Sequence, residues 1–253
     1  MNQTSTPLLE LNHLSYHYGK QVAVDSLDLQ VAEGSFFGLL GPNGAGKTTS
    51  IQCIAGLLSQ WSGKMMFRGE PFQPAENVEH RKRIGFVPQD LAIYDDLTAM
   101  ENLDFFGRLA GLAGAELTAQ VDRALELAGL ESRAKDRTGA FSGGMKRRLN
   151  LAIGQLHQPE LLLLDEPTAG VDPQSRAHLF DALTRLNESG MTIVYTTHYM
   201  EEAERLCDPI AIMNAGKVIG LGSAKQLAED VGDPNADLET VFLSLTGRSL
   251  RDE

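Results

Sequence analysis

The hydrophobic pattern changes character sharply around residue 40. SFFGLL at residues 35–40 is an unbroken apolar run of buried-strand length, and TTSIQCIAGLL after Lys47 sets Ile51, Ile54, Ala55 and Leu58 at helical spacing. Upstream, period-two alternation in VAVD and LDLQV groups Val22 with Val24, then Leu27, Leu29 and Val31. Gly19, and Glu33 with Gly34, interrupt it, so an antiparallel sheet is predicted to lead into the SFFGLL strand. KMMF and IGFV (84–87) read as further strands. From about Thr98 to Gly154 the period lengthens: ENLDFFGRLAGL, ELTAQVDRALELAGL and GGMKRRLNLAIGQL each repeat as helices, which predicts a helical subdomain inserted into an α/β core. The four leucines of ELLLLDEP return the chain to a buried strand. A helix opened by Pro173, the strand TIVYTT, a helix from near Met200 and the hairpin PIAIMNAGKVIGLG, turned by Asn214 to Gly216, complete the expected order. These elements predict a single domain over residues 1–247 and a frayed polar tail at 248–253.

The first strand and helix are joined by Gly41, Pro42, Asn43, Gly44, Ala45, Gly46, Lys47, Thr48 and Thr49, which satisfy the spacing G-x-x-x-x-G-K-[ST]. Glycines let the backbone curl so that successive amides face a phosphate, Lys47 supplies a point charge, and the Thr48 hydroxyl can reach Mg²⁺. The order strand, loop, helix puts the phosphates at a helix N-terminus, where unpaired amides and the dipole favour negative charge. This is the pattern of a P-loop NTPase core, and it predicts that the chain binds a nucleoside triphosphate. The hydrophobic strand LLLLDEP ends in Asp165 and Glu166. Phosphoryl transfer needs positioning and charge neutralisation above all, so Asp165 is expected at the metal and Glu166 beside the attacking water.

Composition narrows the partners. The chain has 253 residues and 42% hydrophobic content, enough for a sizeable core. Its net charge is -12, from 22 basic and 34 acidic residues, and its densest basic clusters, Arg81 to Arg83 and Lys146 to Arg148, are short. Counterion release needs more clustered cations than that, so no nucleic-acid partner is expected. No apolar run approaches the roughly 20 residues that cross a bilayer, and MNQTSTPLLELNH has no basic start followed by an apolar stretch. The expectation is a cytoplasmic protein, or one held at a membrane by something else. Cys53 and Cys207 lie far apart beside apolar neighbours, as buried thiols do.

With these motifs in place, the chain resembles the ATP-binding cassette proteins, the ATPase subunits of ABC transporters, over nearly its whole length. FSGGMKRRL (141–149) is similar to the family signature, with Ser142, Gly143 and Gly144 at a helix start; Phe141 and Met145 depart from the common form LSGGQ, and Met145 cannot hydrogen-bond as glutamine does. The resemblance implies that these residues meet the γ-phosphate of ATP held by another subunit. It further implies that Gln89 in FVPQD reaches Mg²⁺ or the attacking water, that Asp172 in AGVDP lies at the subunit interface, and that His198 contacts the γ-phosphate. Tyr18 in YHYG is expected to stack on adenine, with Tyr16 close by as a competitor. One set of motifs per chain then calls for a homodimer, or a heterodimer with another such subunit. A separate integral membrane permease is implied, contacted by the loop after Gln89 and the inserted helices, where Asp95 and Asp96 suggest an acidic docking surface. The stretches LETVFLSLTGRSLRDE, FSGGM and TTHYMEEAERLCD resemble the drug, antibiotic, lipid and polysaccharide export branch, so the implied function is ATP hydrolysis driving export. The alternatives are a soluble ATPase of the same fold and a regulatory module that binds nucleotide without turnover.

Overall fold

The structure is a computed structural model and describes residues 6–247. The chain divides into two compact units, one formed by the residues up to Arg81 together with those from Gly190 onward, the other by Lys82–Ser189.

In the first unit, β1 (Leu9–Tyr18) pairs antiparallel with β2 (Gln21–Val31), and β4 (Ser62–Phe67) and β5 (Glu70–Pro71) extend the sheet in the order β2-β1-β4-β5. VAVD and LDLQV are thus parts of one strand. Their alternation is out of phase because β2 carries a bulge: Leu14 pairs with Leu27 but Tyr16 with Val24, and Ser26 sits at φ 52°. Between these pairs Asp25 and Ser26 on β2 oppose Ser15 alone on β1, and the extra residue returns Val24, Leu27, Leu29 and Val31 to the buried side. β3 (Phe36–Leu40) is buried at every residue, as a parallel strand covered on both faces must be. It lies between β8 (Thr192–Thr197) and β9 (Ile210–Asn214), parallel to both, and β9 turns back into β10 (Lys217–Gly222). The turn is the predicted one; Ala215 and Gly216 both have positive φ, the geometry that matches strand twist in a two-residue hairpin.

Helix α1 (Lys47–Ile54) follows β3 and stops short of the predicted Leu58. Gly56 adopts φ 75°, a Cβ there would lie 2.6 Å from the backbone of Pro74, and Leu57 is left exposed. The left-handed glycine ends the helix against a neighbouring loop before its apolar spacing runs out. The short helix α2 (Val78–Arg81) closes this part of the unit.

In the second unit, β6 (Ile84–Val87) and β7 (Leu161–Asp165) form a parallel pair, Ile84 opposite Leu161 through Val87 opposite Leu164. Between them run α3 (Ala99–Leu109), α4 (Gly114–Ala128) and α5 (Gly143–Gln155), and α6 (Pro173–Glu188) follows β7 with Pro173 at its first turn. Leu103, Val121, Leu125, Leu149 and Leu156 anchor the core that α3, α4 and α5 share. Gly107 lets α3 and α4 approach, since a Cβ there would meet Leu117 at 2.4 Å. Thr98 and Glu101 form a reciprocal capping box at the start of α3, a cap worth about 1 kcal/mol.

The first unit ends with α7 (Met200–Leu206), α8 (Ala224–Asp230) and α9 (Leu238–Thr246). The tail predicted at 248–253 lies outside the described residues. Both cysteines are buried free thiols, and burial pushes Cys53 up to about 12 and Cys207 higher still, so neither is a reactive thiolate.

Candidate nucleotide site

The phosphate loop belongs to the first unit and its shape is set by close backbone approaches. A Cβ on Gly41 would lie 2.3 Å from the Met213 carbonyl oxygen, and one on Gly46, at φ 102°, 2.5 Å from the Ala23 carbonyl oxygen. Gly44 has open space around it but adopts φ 78°, so conformation and not packing selects glycine there. The loop is held from both sides: Gly41 N-H donates to the Thr197 carbonyl at 3.4 Å, and Gly216 N-H to the Ala45 carbonyl at 2.9 Å. Pro42 and Ala45 are buried, while Asn43 and Gly44 are exposed at the tip. Lys47 is 4% exposed and its ammonium donates to the Gly41 and Pro42 carbonyls at 2.8 and 3.0 Å, which fixes a cation at the mouth of β3. Thr48 and Thr49 follow in the first turn of α1.

Helix α1 begins differently from most others. Side-chain oxygens of Thr98, Ser142, Asp172, Ser223 and Asp237 cap α3, α5, α6, α8 and α9, whereas α1 starts from Gly46 with no side-chain cap and no acidic residue in its first turn. A helix start with neither a side-chain cap nor a carboxylate suits an anionic ligand.

Two further predicted residues lie in this unit. Tyr18, at the end of β1, is 49% exposed with its ring edge-on to Tyr16 at 5.0 Å; Tyr16 is half-buried, so Tyr18 offers the freer stacking face. His198 follows β8 half-buried, its ring 4.0 Å from that of Tyr199. The segment around it is organised from below by a carboxylate that sequence reasoning did not single out. Glu202, 2% exposed, accepts from the Tyr195 hydroxyl at 2.8 Å and the Thr197 hydroxyl at 2.9 Å, and Thr197 Oγ1 accepts from Tyr199 N-H at 2.9 Å.

The second unit carries the other predicted residues. Asp165 ends β7 and Glu166 follows it, at 2% and 7% exposure. Glu166 has φ 44°, a left-handed conformation that costs a non-glycine residue on the order of 1–3 kcal/mol and persists only where surroundings enforce it. Ala169 N-H closes the turn onto the Glu166 carbonyl at 3.1 Å. Gln89 is exposed in the loop after β6. That loop is gripped from α5: Asn150 donates to the Pro88 carbonyl at 3.3 Å and accepts from Ala92 N-H at 3.2 Å, and Arg147 donates to the Gln89 carbonyl. Arg147 donates also to the Ala169 carbonyl at 3.1 Å; burial lowers its pKa while Asp90 opposes that shift.

At the start of α5 the Ser142 hydroxyl accepts from Met145 N-H at 3.3 Å and caps the helix. The two signature glycines differ. A Cβ on Gly144 would lie 1.9 Å from Ser175 Oγ, at the first turn of α6, whereas Gly143 has nothing within 4 Å. Asp172 caps α6 by accepting from Ser175 N-H at 3.0 Å, a bond that holds its carboxyl below the usual range. Met145 packs on the helical core, which explains the departure from glutamine: the side chain works inward. Asp95, one of the two acidic residues suggested for docking, pairs with Lys146 at 2.6 Å while remaining exposed. Arg148 donates to the Ala128 and Gly129 carbonyls at the end of α4, so every cation of the Lys146 to Arg148 cluster has a partner within the chain.

The donors predicted for Mg²⁺, the Thr48 hydroxyl, the Gln89 amide oxygen and the Asp165 carboxylate, are all oxygens, as a hard cation requires. No group of three or more His, Cys, Asp or Glu side chains suited to a metal occurs among the described residues. In donor chemistry alone, these residues suit a Mg²⁺ that keeps phosphate and water oxygens as its other ligands and not an all-protein cage.

A glycine-shaped loop between a buried parallel strand and an uncapped helix defines a P-loop nucleotide-binding protein of the α/β class. The ABC transporter family matches residues 24–169. The linearmycin resistance ATP-binding protein LnrL of Bacillus subtilis is 45% identical over 225 residues, 89% of this chain and 72% of that protein. The Nod factor export ATP-binding protein I of Cupriavidus metallidurans is 45% identical over 224 residues, 88% and 74% of the two chains. Among solved structures, an ATP binding subunit of an ABC transporter aligns with a TM-score of 0.84 at 30% identity, covering 94% of this chain and 99% of its own. CbiO1 from Clostridium perfringens, part of the transporter complex cbiONQ, aligns at 0.80 and 28%, covering 89% and 92%. The chain belongs to the ABC transporter family and is an ATP-binding, ATP-hydrolysing subunit. Subunits of this family work with membrane permeases.

Proposed function

We propose that this subunit drives export through a separate permease, with MgATP held by the phosphate loop of one copy and closed over by the signature of a second ATPase subunit, identical or homologous. Export is supported by relatives named for resistance and for Nod factor export. In this reading Tyr18 stacks on adenine, the amides from Gly41 to Thr49 and Lys47 hold the phosphates, and Asp165, Thr48 and Gln89 hold Mg²⁺. When bound, the cation neutralises charge on the β- and γ-phosphates. Glu166 orients and polarises the attacking water, Gln89 and His198 line the γ-phosphate, and Asp172 faces the partner subunit.

The observation that favours a shared site is the open space at Gly143. Its neighbour Gly144 is required by contact with Ser175, whereas nothing within 4 Å requires glycine at 143. A bare amide at a helix N-terminus, unobstructed and exposed, suits an incoming phosphate. Gly143→Ala is therefore expected to keep the melting temperature of the parent while lowering ATP turnover tenfold or more, because the added methyl obstructs the partner's nucleotide. Gly144→Ala is expected to lower stability directly. Thermal melts and phosphate release on both variants check this; full turnover in Gly143→Ala contradicts the shared site.

No helix among the described residues is long and apolar enough to cross a membrane. We place the protein on the cytoplasmic face of the cell membrane. Leu91, Tyr94, Met100 and Phe105 are exposed on α3 and the loop before it, where Tyr94 and Phe105 meet edge-to-face at 5.2 Å. Exposed apolar side chains grouped in this way suit permease docking, beside Asp95 in its ion pair with Lys146. Tagged protein purified from its own cells in mild detergent is expected to bring down a polytopic membrane protein. Recovery without one favours a soluble ATPase.

A further inference from the structure

We propose that Arg147 is a positioning residue for hydrolysis, holding the loop that carries Gln89 and the turn that carries Glu166 in one fixed spacing. The inference rests on the roles proposed above for Gln89 and Glu166. Its basis is the pair of acceptors. One arm of the guanidinium donates to the main-chain carbonyl of Gln89 itself, and the other to the Ala169 carbonyl at 3.1 Å. Ala169 is the residue whose N-H closes the turn onto the Glu166 carbonyl, and Glu166 sits there at φ 44°. A grip on Ala169 thus helps to enforce the strained backbone that aims the Glu166 carboxylate.

Arg147 lies on α5, whose N-terminus is the signature, so one rigid helix reaches both loops. A planar fork can serve two carbonyls in a set geometry; a lysine, with one compact ammonium on a flexible stem, can approach both only loosely. The loop does not depend on Arg147 for its attachment. Asn150 holds it on either side of Gln89, through Pro88 and Ala92. Loss of the fork should therefore loosen the aim of two side chains while the fold persists.

The test uses the purified full chain carrying Arg147→Met, Arg147→Lys, Gln89→Ala, or Gln89→Ala with Arg147→Met. Misplacement by about 1 Å is enough to cost roughly a hundredfold in rate. Arg147→Met is expected to lower kcat by ten- to a hundredfold with KM for MgATP changed less than about threefold, and Arg147→Lys to recover little of the loss. Should the methionine variant not fold, the lysine variant reads the same effect. In the Gln89→Ala background, Arg147→Met should cost clearly less than it does alone, since one of its two targets no longer acts. Unchanged kcat per folded molecule, a rise in KM alone, full rescue by lysine, or effects that multiply in the double variant each overturn the proposal. If Gln89→Ala by itself leaves kcat unaltered, the role assigned to Gln89 fails instead, and the bridge to that loop fails with it.

Discussion

Glu166→Gln lowers saturating ATP turnover by about two to four decades while MgATP still binds, the scale expected for a positioned acid-base group. The expectation follows from where β7 delivers this side chain. Five buried residues, Leu161 to Asp165, carry the strand through the second unit, and the chain then leaves it in the left-handed turn at Glu166, φ 44°. A surface carboxylate has no reason to sit 7% exposed in a costly conformation, whereas one that must face a reacting water does. Glutamine keeps the shape and the hydrogen-bonding amide but cannot take a proton, so affinity and turnover separate. Phosphate release under single-turnover conditions, beside a binding isotherm, measures both. Turnover near that of the parent removes Glu166 from the mechanism and favours a different base.

Lys47→Met should act on binding itself. The ammonium is buried to 4% exposure and already arranged by the Gly41 and Pro42 carbonyls, so its charge meets the phosphates with little reorganisation. Removing one member of a buried, charge-assisted contact costs roughly 2–5 kcal/mol, or between about one and four decades in Kd. The same substitution strips two loop carbonyls of a donor, so a lower melting temperature is expected as well. Equilibrium dialysis with labelled ATP checks the first expectation and a thermal melt the second. Affinity within threefold of the parent would show that the loop amides suffice without the cation.

Much of the fold was legible because its signals are local. The apolar run Phe36–Leu40, the loop spacing, the leucines of β7 and the turn at Ala215 and Gly216 each depend on a few consecutive residues, and each stands where the pattern put it. The features that escaped depend on distant ones. Nothing within VAVDSLDLQV says that its change of phase is a bulge and not a break; the pairing of Leu14 with Leu27 and Tyr16 with Val24 decides it. Helix α1 should run to Leu58 by its own spacing, and stops because Gly56 meets Pro74.

The site divides in the same way. Residues recognised by motif, from Gly41 to Thr49 and at Asp165 and Glu166, announce themselves by spacing and neighbours. Their supports do not. Arg147 and Asn150 read as ordinary members of a basic amphipathic helix, and their targets lie 58 to 62 residues upstream at Gln89, Ala92 and Pro88. Glu202 reads as one acidic residue among several in HYMEEAER, yet it is the one buried beneath Thr197 and Tyr195. Likewise Asp95 looked like a free surface charge until Lys146 was found beside it. The residues proposed to touch the phosphate were visible in the sequence; the framework around them needed three dimensions.

Calorimetric titration of MgATP into well-folded protein tests the central claim most directly. The account predicts saturable heat at one nucleotide per chain, weakened at least tenfold in affinity in Lys47→Met and retained in Glu166→Gln. A flat titration of the unaltered chain would contradict it.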